Sequence, residues 1–151
     1  MRYWLMKSEP GDYSIADLER DGSDWWTGVR NYQARNFMRG MAVGDGVLFY
    51  HSSCPSPGVA GVAEVCEEAQ TDPTQFEQGG KYYDARATAE RPIWFCPRIS
   101  FVRRFPLVSL SLLRATSGLE GMTILRRGNR LSVTPVTSAE WKIIAGKLAK
   151  G

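Results

Sequence analysis

Apolar positions in this chain come in short clusters cut apart by glycine, proline and charge, and their period changes from cluster to cluster. Tyr3-Trp4-Leu5-Met6 is an unbroken apolar run of strand length, closed by Pro10-Gly11, and predicts a buried strand. Ser14-Ile15-Ala16-Asp17 has the form of a capping box and predicts a short helix to about Arg20. Residues 31–39 carry Tyr32, Ala34, Phe37 and Met38 at helical spacing, with Gly40 as the stop.

Beyond the Gly44-Asp45-Gly46 turn, Val47–His51 is rich in β-formers and predicts a second strand. Pro55–Gly58 is a turn. Val59–Val65 alternates with the small residues Gly61 and Ala63, the pattern of a strand against which another backbone lies closely. Asp72-Pro73-Thr74 predicts a helical turn or loop. Ile99, Phe101 and Phe105 mark a strand within 92–105, and Pro106-Leu107 is expected to lead into a helix through Leu110 and Leu113. Met122–Leu125 and Leu131–Val136 predict two strands around the turn Arg126-Arg127-Gly128-Asn129-Arg130. A second capping box, Thr137-Ser138-Ala139-Glu140, opens a last helix with Trp141, Ile144, Ala145 and Leu148 on one face. Strands and helices do not alternate strictly, so a doubly wound parallel sheet is excluded in favour of an α+β arrangement, a small mixed or barrel-like sheet with peripheral helices.

Composition narrows the class. At 151 residues the chain has the size of one domain, expected to span 1–151. Its apolar runs are far shorter than the roughly 20 residues of a membrane helix, and its first ten residues lack the long apolar region of a secretion signal. A cytoplasmic domain with no membrane contact is the expectation. Cys54, Cys66 and Cys96 lack paired spacings and are expected as free thiols, and with His51 as the one histidine no metal is expected. Phosphate-cradling and dinucleotide glycine motifs are absent from the sequence, so no cofactor is expected. Charge is divided unevenly. Residues 1–85 hold 7 basic and 13 acidic side chains, whereas residues 86–151 hold 12 and 3. Such asymmetry points to an anionic partner.

Four segments could carry chemistry. Lys7-Ser8-Glu9 follows a buried strand and combines an anion holder, a hydroxyl and an acceptor for an exocyclic amine. Trp25-Trp26-Thr27-Gly28-Val29-Arg30-Asn31-Tyr32 sets aromatic faces beside side chains that can bond a base edge. Tyr50-His51-Ser52-Ser53 offers a histidine beside hydroxyls, without a third member for a triad. Arg126, Arg127 and Arg130 crowd one turn with no carboxylate between them, suiting phosphate oxygens.

These same residues carry a resemblance. Trp4–Pro10, Trp26–Phe37, Phe49–Ser52, Pro57–Gly61 and Arg130–Val136 resemble, in order and over nearly the whole chain, the EVE domain family. That resemblance implies a PUA-like fold, a small mixed β-barrel with helices around it, related to domains that read a methylated adenine in RNA. It further implies capture of a modified nucleobase, above all a modified cytosine in DNA, flipped into a pocket. Carried over by motif, the base pocket comprises Lys7, Ser8, Glu9, Trp26, Asn31, Tyr32, Tyr50, His51 and Ser52. Phosphate contacts fall to Arg30, Arg35, Arg126, Arg127 and Arg130. The partner is then a nucleic acid, DNA or RNA, with readout left to a separate effector protein. One stretch departs from the family pattern: Phe95-Cys96-Pro97-Arg98-Ile99 replaces a Val-Asp-Val-like strand, and its proline implies an edge or a bulge.

A hydrolase acting on a modified nucleoside is the alternative, with Lys7 activating Ser8 and Glu9 carrying the proton. Neighbours on an extended strand point to opposite faces, which disfavours it, and no catalytic residue is assigned.

Overall fold

The computed structural model describes residues 1–150. Trp4, Leu5 and Met6 lie at 4%, 0% and 0% exposure, so both faces of the first strand are covered. This strand, β1 (Tyr3–Ser8), runs parallel to β3 (Gly46–His51), from Tyr3 opposite Gly46 to Ser8 opposite His51. Parallel neighbours need a crossover. Here it consists of α1 (Ile15–Asp21), β2 (Ser23–Trp25) and α2 (Tyr32–Arg39). The capping box of α1 forms as expected, with Ser14 and Asp17 each accepting from the other's backbone N–H. β2 gave no periodic signal, because three residues are too short for one.

The remaining strands are antiparallel. β4 (Gly58–Thr71) pairs with β3, β5 (Phe95–Ser109) pairs with β4 and β2, and β6 (Val133–Val136) pairs with β1. The order is β2-β5-β4-β3-β1-β6. Against the expected barrel, the ladder is open, with β2 and β6 as its edges. Edge strands of three and four residues are too short to carry the ladder around to closure.

β5 differs from expectation in length. Residues 106–109 continue the strand, and α3 begins only at Leu110 (Leu110–Ala115). Val108 and Ser109 hold the strand state by pairing with Val59 and Gly58. Both prolines of β5 fall where the register slips: Pro97 between Cys96 and Arg98, Pro106 between Arg104 and Val108. A proline has no N–H for a ladder, so each sits in a bulge, as expected for Pro97. The close backbone approach expected along β4 is at Gly61, where a Cβ would stand 2.5 Å from the Arg103 carbonyl oxygen.

Met122–Leu125 is not a strand. Thr123–Leu125 forms a 3-10 turn, closed by Leu125 N–H to the Met122 carbonyl and Arg126 N–H to that of Thr123, and Ile124 and Leu125 pack inward. The last helix opens at Thr137 with its capping box, as α4 (Ser138–Trp141), and continues as a π-helix over Lys142–Lys147.

Strand alternation sorts the core into two layers. Trp4, Met6, Val47 and Phe49 face one cluster, beneath α1 and α2. Leu5, Leu48, Tyr50 and Val62 face the other, with Leu113 of α3 and the expected C-terminal face of Trp141, Ile144, Ala145 and Leu148.

Candidate functional site

β1 and β3 end side by side, and the chain leaving them is tied together. Ser52 N–H donates to the Ser8 carbonyl at 3.0 Å, and Lys7 N–H to the Ser132 carbonyl at 2.8 Å. Beside this junction opens a cleft of about 730 Å³. Lys7, Ser8 and Glu9 line it, with Ser52 and Ser53 on the β3 side and Arg130 and Ser132 at the approach to β6. Trp25–Arg30 supply another wall, and Lys81 and Tyr82 a further one. Five segments far apart in sequence thus meet. Ser53 sits at φ +52°, in the left-handed region that ordinary side chains visit rarely.

Of the expected pocket residues, Lys7, Ser8, Glu9, Trp26 and Ser52 reach the cleft, together with Arg30 and Arg130. Trp26 is partly buried and meets Phe49 edge-on at 5.5 Å between centroids, which fixes its ring against the first core cluster. Lys7 is half-buried, and burial lowers its amine pKa; among the described residues it has no ion-pair partner.

The others lie elsewhere. Asn31 is the N-cap of α2, its Oδ1 accepting from Ala34 N–H. Tyr32 stacks on Trp94 at 4.9 Å. Tyr50, 2% exposed, belongs to the second core cluster, because the period of two that turns Phe49 to one face turns Tyr50 to the other. His51 faces a different cavity, beside Pro10, Cys54 and Phe105. Its Nε2 accepts from Ile15 N–H at 3.1 Å, and burial first, then Arg104, depress its pKa. Of the arginines, Arg35 donates to Asn36 Oδ1 and the Ile93 carbonyl, whereas Arg126 and Arg127 stand exposed, their guanidiniums without a protein partner among the described residues.

Sequence reasoning missed Tyr13 and Lys81-Tyr82. An aromatic pair, Tyr82-Tyr83, in a stretch without strand or helix period was the available signal for the latter. It also missed what holds them. Asp72 is 1% exposed at its side chain and accepts from Gly28 N–H, Arg30, Thr74 N–H and the Thr74 hydroxyl. Burial works against its charge, yet these donors together hold its carboxyl below the usual range. Gln75, fully buried, bridges the Asp72 and Trp94 carbonyls and the Ile93 and Trp94 N–H groups.

The geometry does not assemble a hydrolytic centre. Lys7 and Ser8 do share the cleft, contrary to the alternation argument, because the strand ends at Ser8. But Ser8 Oγ donates to the Tyr13 carbonyl at 2.6 Å, leaving its proton on an acceptor that cannot take it away. Among the described residues no hydrogen bond joins His51 to Ser52 or Ser53.

A mixed sheet with an aromatic, charged cleft at the ends of its parallel strands defines a small binding module. More narrowly, the chain belongs to the EVE domain family, whose profile matches residues 2–147. Thymocyte nuclear protein 1 of Mus musculus is 42% identical over 94% of this chain and 71% of its own length. A Pseudomonas syringae structure superposes with a TM-score of 0.92 at 49% identity, covering 95% of this chain and 97% of that one. The structure of human THYN1 in complex with 5-methylcytosine-containing DNA superposes with a TM-score of 0.92 at 37% identity, covering 100% of this chain and 99% of that one. Among the described residues no helix is long and apolar enough to cross a membrane.

Proposed function

We propose that this protein is a non-catalytic reader of modified cytosine in DNA, holding a flipped base in the cleft between Lys7–Glu9, Trp26 and Ser52. The observation that carries this reading is the likeness, over the whole of this chain, to the structure of human THYN1 in complex with 5-methylcytosine-containing DNA. The cleft supports it with chemistry a base needs. Trp26 offers an aromatic face, and Lys7, Ser8 and Glu9 offer donors and acceptors to its edge.

Magnitudes are consistent with binding. Extruding a base costs a few kcal/mol, and stacking returns about 1–3 kcal/mol. Cations must supply the rest. Arg126, Arg127 and Arg130 are exposed and uncommitted among the described residues, and are our phosphate contacts, with Arg130 at the cleft itself.

Anisotropy with matched oligonucleotides, cytosine against 5-methylcytosine, tests the reading. Tighter binding of the modified strand, recovered intact, is expected, and equal affinities would overturn it. In the same assay Trp26→Ala is expected to cost about tenfold or more in affinity for the modified strand, from the loss of one stacking face. Unchanged affinity in a folded variant would remove Trp26 from the site.

A further inference from the structure

The wall built by Lys81 and Tyr82 belongs to a long segment, Glu77–Ile93, that contains no helix or strand. Such a segment would ordinarily move with respect to the sheet. Gln75 and Arg35 hold its end at Ile93 and the Trp94 indole N–H donates to Asp84, while Arg30 grips it at Tyr82. An arginine side chain has five N–H donors, and Arg30 uses all five within the protein. Nε and one Nη2 donor go to the Tyr82 carbonyl at 3.1 and 2.8 Å. The Nη1 donors go to the Val29 carbonyl and Asp72 Oδ2, and the other Nη2 donor to Thr74 Oγ1. The guanidinium also lies 5.5 Å from the Tyr82 ring and 5.3 Å from that of Trp94. The Tyr82 ring in turn rests on Gly28, where there is no side chain to hold it off.

We propose that Tyr82 is a base-contacting wall of the cleft and that Arg30 is a positioning residue which holds it there, with no phosphate contact of its own. The inference rests on the proposed reader function but assigns two roles which that reading leaves open. A fork that matches carboxylate and carbonyl geometry with every donor has none left for a DNA backbone. Tyr82 lines the same cleft as Trp26 with an aromatic side chain, and its backbone carbonyl, the atom Arg30 grips, survives any change of that side chain. The ligand part concerned is the planar heteroaromatic base.

Two roles for Arg30 leave different traces in salt. A phosphate contact contributes about 0.9 to the slope of log affinity against log salt, whereas a positioning residue contributes nothing. We would measure binding of 5-methylcytosine and cytosine oligonucleotides across a salt series for wild type, Arg30→Met and Tyr82→Ala. Hydrogen exchange of residues 77–93 would be followed without DNA. Arg30→Met is expected to lower affinity for the modified strand about tenfold or more with an unchanged slope, and to raise exchange in 77–93. A slope shallower by about one, or unchanged exchange, would overturn the positioning role.

Arg30→Met leaves Asp72 buried without its cation, and that variant can fail to fold. Tyr82→Ala retains every Arg30 bond and is the safeguard: a loss of about tenfold in affinity, at constant slope and with an unchanged melting temperature, is expected. Wild-type affinity in Tyr82→Ala would remove Tyr82 from the site. Were wild type itself to bind both strands alike, the reader function would fall, and the exchange result would still decide whether Arg30 holds the segment.

Discussion

Gly28 stands at φ +87°, and a Cβ placed there would come within 2.7 Å of Tyr82 Cζ. Conformation and contact therefore exclude a side chain for separate reasons. The backbone cost of Gly28→Ala is about 1–2 kcal/mol. For a chain of this length that corresponds to a fall of about 2–8 °C in melting temperature. The ring can swing aside more cheaply than the backbone can, so the variant is expected to fold and to lose affinity by displacing Tyr82. Calorimetry and binding on one preparation separate the two effects. Trp26 was legible in the sequence as an aromatic beside a glycine. Asn31 and Tyr50 were read as pocket residues from motif membership, but capping and strand alternation use them otherwise. Arg30 shows the limit most clearly: a basic residue in a binding motif looks the same in sequence whether its donors face a ligand or a buried aspartate.

Elements were legible in proportion to their length and to the chemistry at their ends. Both capping boxes and the parallel pair's apolar runs were readable, because caps are local and fully buried strands are apolar throughout. β5 was truncated in the reading because Pro106 looked like a stop. Its bulge is stabilised by partners on β4 some forty residues away, which no local pattern reports. The 3-10 turn at Thr123–Leu125 imitated a strand for the same reason: apolar residues that pack inward do so in either conformation.

Two buried carboxylates staple elements together, and both respond to acid. Asp45 accepts from Arg2 N–H, Trp4 Nε1–H and Ala42 N–H, joining β1 to the turn before β3. Burial opposes its charge, and the three donors outweigh that, so its pKa is lowered, as is that of Asp72. The unfolded chain therefore takes up these protons first. Stability from both groups is fully present above the ordinary carboxylate pKa of about 4 and is lost as pH falls through their lower folded values. Urea unfolding between pH 2 and 7 is expected to show a plateau and then a decline below pH ~4. Asp45→Asn should flatten part of that decline; an identical acid limb in the variant would show that Asp45 contributes nothing to it.

At the scale of the molecule, charge separates by role. The first 85 residues carry an excess of acid and the last 66 an excess of base, as the sequence shows directly. What sequence did not show is which bases are spent. Arg20, Arg30, Arg86, Arg98 and Arg104 are paired with carboxylates, whereas Arg126, Arg127 and Arg130 are not among the ion pairs of the described residues. Arg127→Ala is therefore expected to weaken binding of modified and unmodified strands alike and to reduce the salt slope by about one. A loss confined to the modified strand would instead make Arg127 a reader of the base.

The position of β1 between β3 and β6 bears on how the protein is made. β1 is synthesised before either neighbour, one of which arrives only with residues 46–51 and the other only with residues 133–136. Pairing across such separations is slow and late in folding. The Lys7–Ser132 hydrogen bond at the cleft closes on the same schedule. A nascent chain that stops short of β6 thus leaves β1 with an open edge and the Arg130–Ser132 side of the cleft unanchored. Ribosome-arrested chains ending before Val133 are expected to be digested by protease where chains carrying the whole of β6 resist, so that competence to bind waits on the synthesis of β6.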